Sequence, residues 1–594
     1  MASTCALLNL PRELRDEVYR HYVTFEEGLV YNFDYDAKGH EESCNNLRNL
    51  APANNTDSID LALRSTCKQI HGETDGLILK FNTITFSSTR ISRNNSDEVR
   101  VRAARFHFLR VPRTMEAASF LYYEDGPVVR PCYTQAVVDE VVRTHPSIGP
   151  LLRILLKENT PWAEINSAHK VLQARPHEHC PESGQGPTGS WGIVRSSMRA
   201  ALMHALKVTA DHDCFSSGPA VERPTFPPRE LLALDSEFPA WSLPTDDDLL
   251  KLSRPYAKKT ADVCINGAVY CHASRQLHTA EFWNGQRYLK RWILDEFSDD
   301  HIDKAENRGK YRFSAASVAI KFLSSLPSGL RLYLRHIRLL EKNVSVAFPE
   351  SHAHGLIKFC VENPKLRVER RVSVWKTILQ QQSHDSEHQG SDLEATPEDQ
   401  RVRAWIYNSE GFSTVRATNN IALWMMEAAS LIPAGMPKDS FTLVLDGAPG
   451  DDVLSDVFIK YIQRDAAWQM AWQISLKDKA EQSEIGEEGA DDFFMRLRGP
   501  CCYIYKDFPL VLDDIINNRS ELIQCTFNTG PKIWDVETEL NKYRALDDAA
   551  WDIHRHEHKD MFYWRQLGRE EYFDKVVYGA EILPYEEDQE YFSD

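Results

Sequence analysis

Leu10, Leu14, Val18 and Tyr22 recur at every fourth position, with Tyr19 and Val23 beside them. Apolar residues at that spacing share one face of a helix, so the pattern predicts a helix from about Pro11 to Val23. Pro11 suits its first position, where the missing N–H leaves nothing unsatisfied, and Glu13 and Asp16 lie where the helix dipole favours negative charge. The opposite face reads Arg12, Arg15, Asp16 and Arg20. A second helix is predicted from about Ile59 to Lys80. There Leu63, Cys67, Ile70, Thr74 and Leu77 alternate steps of four and three, and Asp57 or Ser58 can cap the start. Ile84 and Phe86 alternate with threonines, as in a half-buried strand. Between the helices, residues 25–55 form a polar insertion rich in Asn, Asp, Glu and Gly.

Further along, periodicity predicts a strand within Glu98–Arg110 and helices at Gln135–Thr144, Ile148–Lys157 and Trp191–Val208. Phe282–Phe297 carries aromatic residues at helical spacing. Phe313–Leu326 reads as a helix stopped by Pro327 and Gly329, and Glu350–Glu362 as one stopped by Asn363-Pro364. Arg335–Leu340 and Val344–Phe348 look extended, and Leu366–Val374 alternates as a strand with one buried face should. Later come helices at Asn420–Ile432, Asp452–Ser475 and Asp535–Arg565, and a buried strand at Phe441–Leu445. Helix and strand therefore alternate, which predicts a mixed α/β (α+β) chain and leaves an irregular leucine-rich arrangement open. The expected organisation is a small helical head over 1–90, a mixed body over 91–379, a polar linker at 380–400, a second part of the body over 401–580, and an acidic tail at 581–594.

Composition narrows the function classes. Acidic residues outnumber basic ones 87 to 69, a net charge of −18, which argues against a general nucleic-acid or anionic-membrane binder while leaving room for a local basic patch. Twelve cysteines lie scattered without framework spacing, as reduced thiols do. The start lacks a basic, apolar leader, and no window approaches the ~18 apolar residues of a membrane helix, so cytoplasm or nucleus is expected, with no membrane partner.

Three segments carry a family likeness. Leu8-x-Leu-Pro-x-Glu-Leu-Arg-x-x-Val-Tyr, Leu61-x-Leu-Arg-x-Thr-Cys-Lys-Gln-Ile-x-x-Glu and Phe81-Asn-Thr-x-x-Phe86 resemble the F-box-like N-terminal domain of a large group of filamentous-fungal proteins, mostly of unknown function. The resemblance covers about 90 residues. It implies docking, through Leu10, Pro11, Leu14 and Val18, on the Skp-type adaptor of a cullin–RING ubiquitin ligase, with the body binding an unknown protein client. The insertion at 25–55 is longer than the usual F-box link, and the tryptophan usual near residue 70 is absent. A scaffold protein whose head is only a folded cap is the alternative, and it expects residues 10–23 to be buried. A third reading is an enzyme whose site is assembled from distant residues.

No chemical motif supports an enzyme directly, and no cofactor or metal is expected. Gly184-x-Gly186-x-x-Gly189 lacks the preceding strand of a dinucleotide fingerprint. Val318-Ala-Ile-Lys321 spells a kinase motif but falls inside a helix. Leu443-Val-Leu-Asp446-Gly447 lacks the aspartate nucleophile two residues earlier, and Gly447–Asp452 lacks the lysine of a P-loop. His177, His179, Cys180, His212 and Cys214 fit no zinc spacing, and His554, His556 and His558 alternate across a predicted helix. Cys501 and Cys502 are adjacent and ill-placed for mutual bridging. Tryptophans such as Trp468 and Trp472 read as core.

Overall fold

A computed structural model describes residues 6–33, 49–54, 59, 62–88, 102–103, 106, 134–156, 195–210, 228–249, 251–252, 312–379, 411–448, 450–482, 505, 507–532, 534–544 and 561–563. Its frame is a seven-stranded sheet. The strands are β1 (Leu29–Tyr31), β2 (Leu50–Pro52), β3 (Thr83–Ser87), β4 (His336–Glu341), β5 (Arg367–Ser373), β7 (Phe441–Asp446) and β8 (Ile523–Cys525), in the order β2-β1-β3-β4-β5-β7-β8. Only β2 is antiparallel to its neighbour; all other pairings are parallel. From β1 onward the spatial order follows the chain order without reversal, so the sheet has no switch point of the kind at which open α/β sheets form their ligand crevice. A separate two-stranded ribbon pairs β6 (Gly411–Ser413) with β9 (Met561–Tyr563). The mixed helix-and-strand class expected from alternation is the observed one.

The alternation in β4 and β5 sets the two faces. Ile337, Leu339, Val368 and Val372 are buried, while His336, Arg338 and Arg367 on the other face are exposed. The helix Ala315–Ser325 packs on the buried face, where Phe322 meets Phe86 at 5.3 Å and Tyr31 at 5.0 Å between ring centroids. Ser314 caps this helix through the Ser317 N–H. Across the polar face, ion pairs step from Arg338 to Glu369 (3.3 Å), Glu369 to Arg371 (3.5 Å) and Arg371 to Asp446 (3.4 Å), linking three strands. One contiguous apolar core joins residues from Val23 to Phe527.

The sheet crosses the expected domain boundaries. β3 lies in the first ninety residues yet pairs with β4 over five residues, and β5 pairs with β7 across the stretch 380–400. The first ninety residues are not purely helical either, because the polar insertion supplies β1 and β2. The second predicted helix is broken: a 3-10 turn at Leu63–Ser65 precedes Lys68–Thr74 and Leu77–Phe81. The last two are separated by Gly76 at φ +70°, where a β-carbon would sit 2.3 Å from the Tyr333 ring.

Other expectations were met to within a few residues, such as Gln135–Thr144 and Arg195–Ala210, while the helix expected at Asn420–Ile432 starts six residues earlier, at Thr414–Ala429. Val344–Phe348 is not extended. Ala347 and Phe348 take positive φ, and the Ala347 carbonyl accepts from His352 Nε2 at 2.8 Å, turning the chain into the 3-10 helix Pro349–Leu356. Arg102, Ala103 and Phe106 are helical rather than part of a strand, with Phe106 buried 6.4 Å from Phe313. The helix predicted from Asp535 is described only over Val536–Tyr543, and Met561–Tyr563 within the predicted span is a strand. Phe282–Phe297, the 380–400 linker, the 581–594 tail, Asp57, Ser58, Gly184–Gly189, Cys501, Cys502 and the histidine clusters near 177, 212 and 556 lie outside the described residues.

Candidate functional site

The N-terminal helix Arg12–Val23 is held by the edge of its apolar pattern, at Tyr19 and Val23, together with Arg15, which periodicity places on the solvent face. Arg15, Tyr19 and Val23 are its buried residues, at steps of four. Arg15 makes a two-pronged bond to Glu73, with Nε to Oε2 at 2.9 Å and Nη2 to Oε1 at 2.7 Å, and its Nη1 donates to the Leu10 carbonyl at 2.6 Å. Tyr19 Oη donates to Glu73 Oε2 at 2.8 Å, and Gln69 donates to Oε1. A carboxylate with this many donors stays ionised: the Arg15 hydrogen bond, opposed by desolvation, holds the Glu73 carboxyl down at about 2. Burial, reinforced by the hydrogen bond to Glu73, pushes the Tyr19 hydroxyl up to about 12. Further along, buried Asn82 donates to the Val23 and Ile78 carbonyls at 2.7 and 2.9 Å and accepts from the Phe25 N–H, tying the helix end to Leu77–Phe81. Arg15, placed on the solvent face by periodicity, is thus the anchor, because Glu73 supplies its counter-charge from 58 residues away.

That anchoring turns the other stripe outward. Leu10, Leu14 and Val18 are 37%, 53% and 42% exposed, and Pro11 beside them is exposed as well. These four residues form an apolar ridge on a helix fixed at both ends. Charged neighbours flank it: Arg12 bonds Asp16 at 2.6 Å, and Glu17 meets Arg20 at 3.2 Å.

The buried polar groups elsewhere are structural cross-braces. Glu341 accepts the N–H groups of Ala315 and Ala316 at 2.9 and 3.2 Å and a pair of bonds from Arg370 (3.1 and 2.8 Å). Arg370 also donates to the Pro349 carbonyl and stacks 4.7 Å from the Trp424 ring centre. His352 Nδ1 lies 2.7 Å from Ser314 Oγ and 3.0 Å from Ser317 Oγ, all three sealed from solvent. Glu427 is fully buried yet kept ionised: desolvation opposes charge, and His354 together with the Ser196 N–H outweighs it. His354 uses the same Nε2 toward Ser430 (3.1 Å) and Glu427 (3.4 Å). A nucleophile–base–carboxylate relay needs opposite nitrogens of the imidazole, so this cluster lacks that geometry.

The candidate motifs behave as ordinary structure. Val318–Lys321 lies within the helix Ala315–Ser325, and Asp446 ends β7 with its carboxylate on Arg371 and the Ala448 N–H. Gly447 is held close to Asp451, Leu454 and Phe527, and Asp451 accepts from Thr526 at 2.9 Å in the first turn of Asp451–Val457. Trp468 is buried, donating to Glu539 at 3.1 Å. Cys360 and Cys525 are free thiols, pushed up to about 12 by burial and so poor nucleophiles. Among the described residues no cluster of His, Cys, Asp and Glu could hold a metal, and no helix is long and apolar enough to cross a membrane. No protein-family model matches the chain, and neither a curated protein nor a solved structure does.

Proposed function

We propose that the chain is a protein–protein interaction protein that docks through its N-terminal ridge on a Skp-type adaptor of a cullin–RING ubiquitin ligase, with the α/β body holding a protein client. The observation that carries this reading is the exposure of Leu10, Leu14 and Val18 on a helix whose opposite face is pinned by Arg15 and Glu73. Large apolar side chains in a row on a rigid element cost hydration and serve best as anchors for a partner. The resemblance of this segment to F-box-like domains names the partner class. A scaffold role without a ligase is the second reading: its expectation that residues 10–23 are buried fails at Leu10, Pro11, Leu14 and Val18, but the pairing of β3 with β4 favours it by building the first ninety residues into the body instead of leaving a detachable head.

The experiment is a pull-down of the full chain with a Skp-type adaptor, using wild type and Leu14→Asp. The docking reading expects retention of wild type and loss of the variant at unchanged melting temperature, since Leu14 is over half exposed. Equal retention of both, or of neither, removes the adaptor reading.

A further inference from the structure

Outside the N-terminal ridge, exposed large apolar residues recur just ahead of successive strands. Leu332 precedes β4, Val361 precedes β5 and Ile432 precedes β7, at 50%, 56% and 43% exposure. Because these strands are adjacent and parallel, their starting ends share one rim of the sheet. The first two segments are sewn together: Arg331 forks onto Glu362 at 2.7 and 2.9 Å, and Asn363 Nδ2 donates to the Arg331 and Leu334 carbonyls at 2.9 Å each. The third lies alongside, since a β-carbon at Gly435 would stand 3.9 Å from Ile357, in the helix that carries Val361.

The same rim holds cations. The Arg367 N–H donates to the Arg335 carbonyl at 2.8 Å, so the two arginines are immediate neighbours across β4 and β5, and exposed Lys365 stands two residues before Arg367. Arg335 Nη1 donates to the Leu332 and Leu334 carbonyls, and Arg367 Nη1 to those of Pro364 and Leu366. Each guanidinium is thereby fixed in place using one nitrogen. Among the described residues, no carboxylate lies within ion-pair distance of Arg335, Lys365 or Arg367. On the same rim Arg331 pairs with Glu362 and Lys438 with Glu521, and exposed Asp439 stands just before β7; Arg335, Lys365 and Arg367 outweigh that one carboxylate, leaving a net positive rim beside an apolar row in a chain of net charge −18.

We infer that this rim is a docking surface for an acidic segment of a partner protein in which carboxylates alternate with large apolar side chains. The carboxylates meet Arg335, Lys365 and Arg367, and the apolar side chains cover Leu332, Val361 and Ile432. Charge complementarity selects the occupant. A nucleic acid would meet the same cations, but its phosphates continue beyond the island onto a surface whose net charge repels them. The surface shares no residue with the N-terminal ridge and stands whether or not the ridge binds an adaptor.

The test is fluorescence anisotropy of the full chain with three labelled probes: a short peptide of paired glutamates separated by leucines, a glutamate-only peptide of equal charge, and a thymidine oligonucleotide. The leucine-containing peptide is expected to bind best. Its affinity should fall about tenfold or more in Arg335→Glu/Arg367→Glu and in Leu332→Asp/Val361→Asp, with circular dichroism showing both variants folded, and stay at the wild-type level in Leu14→Asp. Lys365→Glu, which alters no hydrogen bond of the strand ends, gives the same direction should a double variant lose its fold. The inference is overturned if the leucine peptide does not bind, if the glutamate-only peptide or the oligonucleotide binds as well, or if Lys365→Glu and the rim variants bind like wild type.

Discussion

Two charged pairs of different burial show what a single side chain contributes here. Glu73 sits at the edge of solvent with Arg15, Tyr19 and Gln69 as donors, and its carboxyl is lowered from 4.5 to about 2. A carboxyl whose folded pKa is depressed stabilises the fold fully above its unfolded pKa and loses that contribution as pH falls through the folded one. Hydrogen exchange of the Arg12–Val23 amides should therefore show extra protection over Glu73→Gln at pH 6, shrinking between pH 4.5 and about 2 until the two proteins match. A difference that persists below pH 2 would exclude ionisation of Glu73 as the cause. Glu341 and Arg370 are the opposite case, sealed in the core with every strong bond satisfied by each other or by backbone. Removing one partner strands a buried charge, so Glu341→Ala should cost about 3–5 kcal/mol in a urea titration followed by tryptophan fluorescence. Replacing both residues, as Glu341→Leu/Arg370→Met, should recover only part of that loss, because it removes the unpaired charge but leaves the buried Ala315 and Ala316 N–H groups without their acceptor.

Elements form where local signals and tertiary partners agree, and they break where one glycine overrules periodicity. The Leu63–Leu77 stripe describes a continuous helix, but Gly76 is left-handed and lies against the Tyr333 ring, so the chain turns before Leu77–Phe81. Gly76→Ala should destabilise by about 1–3 kcal/mol from backbone strain alone, plus the clash with Tyr333. Combining it with Tyr333→Ala should restore the steric part of the melting temperature and leave the backbone part. Strands with clean alternation, such as Arg367–Ser373, and helices with an apolar period and a proline stop, such as Ala315–Ser325, were legible because each signal is local. The apolar pattern of the N-terminal helix was legible, Tyr19 and Val23 included, but the charged anchor was not. Arg15 reads as a surface residue until Glu73 is brought beside it, and pairing across 58 positions leaves no periodic trace. The positive-φ turn at Ala347 and Phe348 was hidden for a different reason: it is fixed locally, by a carbonyl that bonds buried His352 five residues on, and neither residue is of a type that marks such a turn.

At the scale of the whole molecule, the sheet decides what can be separated. A parallel strand gains its partners only through long connections, and β3 waits for β4, which lies about 250 residues later in the chain. The first ninety residues by themselves would keep the Arg15–Glu73 anchor and the β1–β2 and β1–β3 pairings, yet expose one edge of β3 along all five residues that otherwise pair with β4. They would also uncover Phe86 and Tyr31, whose aromatic partner Phe322 is contributed by the body. Three short strands with an open apolar face and a free edge are a marginal fold and an invitation to aggregate. A fragment of residues 1–90 should therefore be poorly dispersed in an amide NMR spectrum and form oligomers, whereas the full chain protects the β3 amides from exchange. A monomeric, well-dispersed fragment would show instead that the N-terminal helices fold as an autonomous head. Failure of the fragment would mean that any partner engaging Leu10, Leu14 and Val18 meets the ridge only on the assembled α/β body, so that docking at the helix and stability of the sheet stand or fall together.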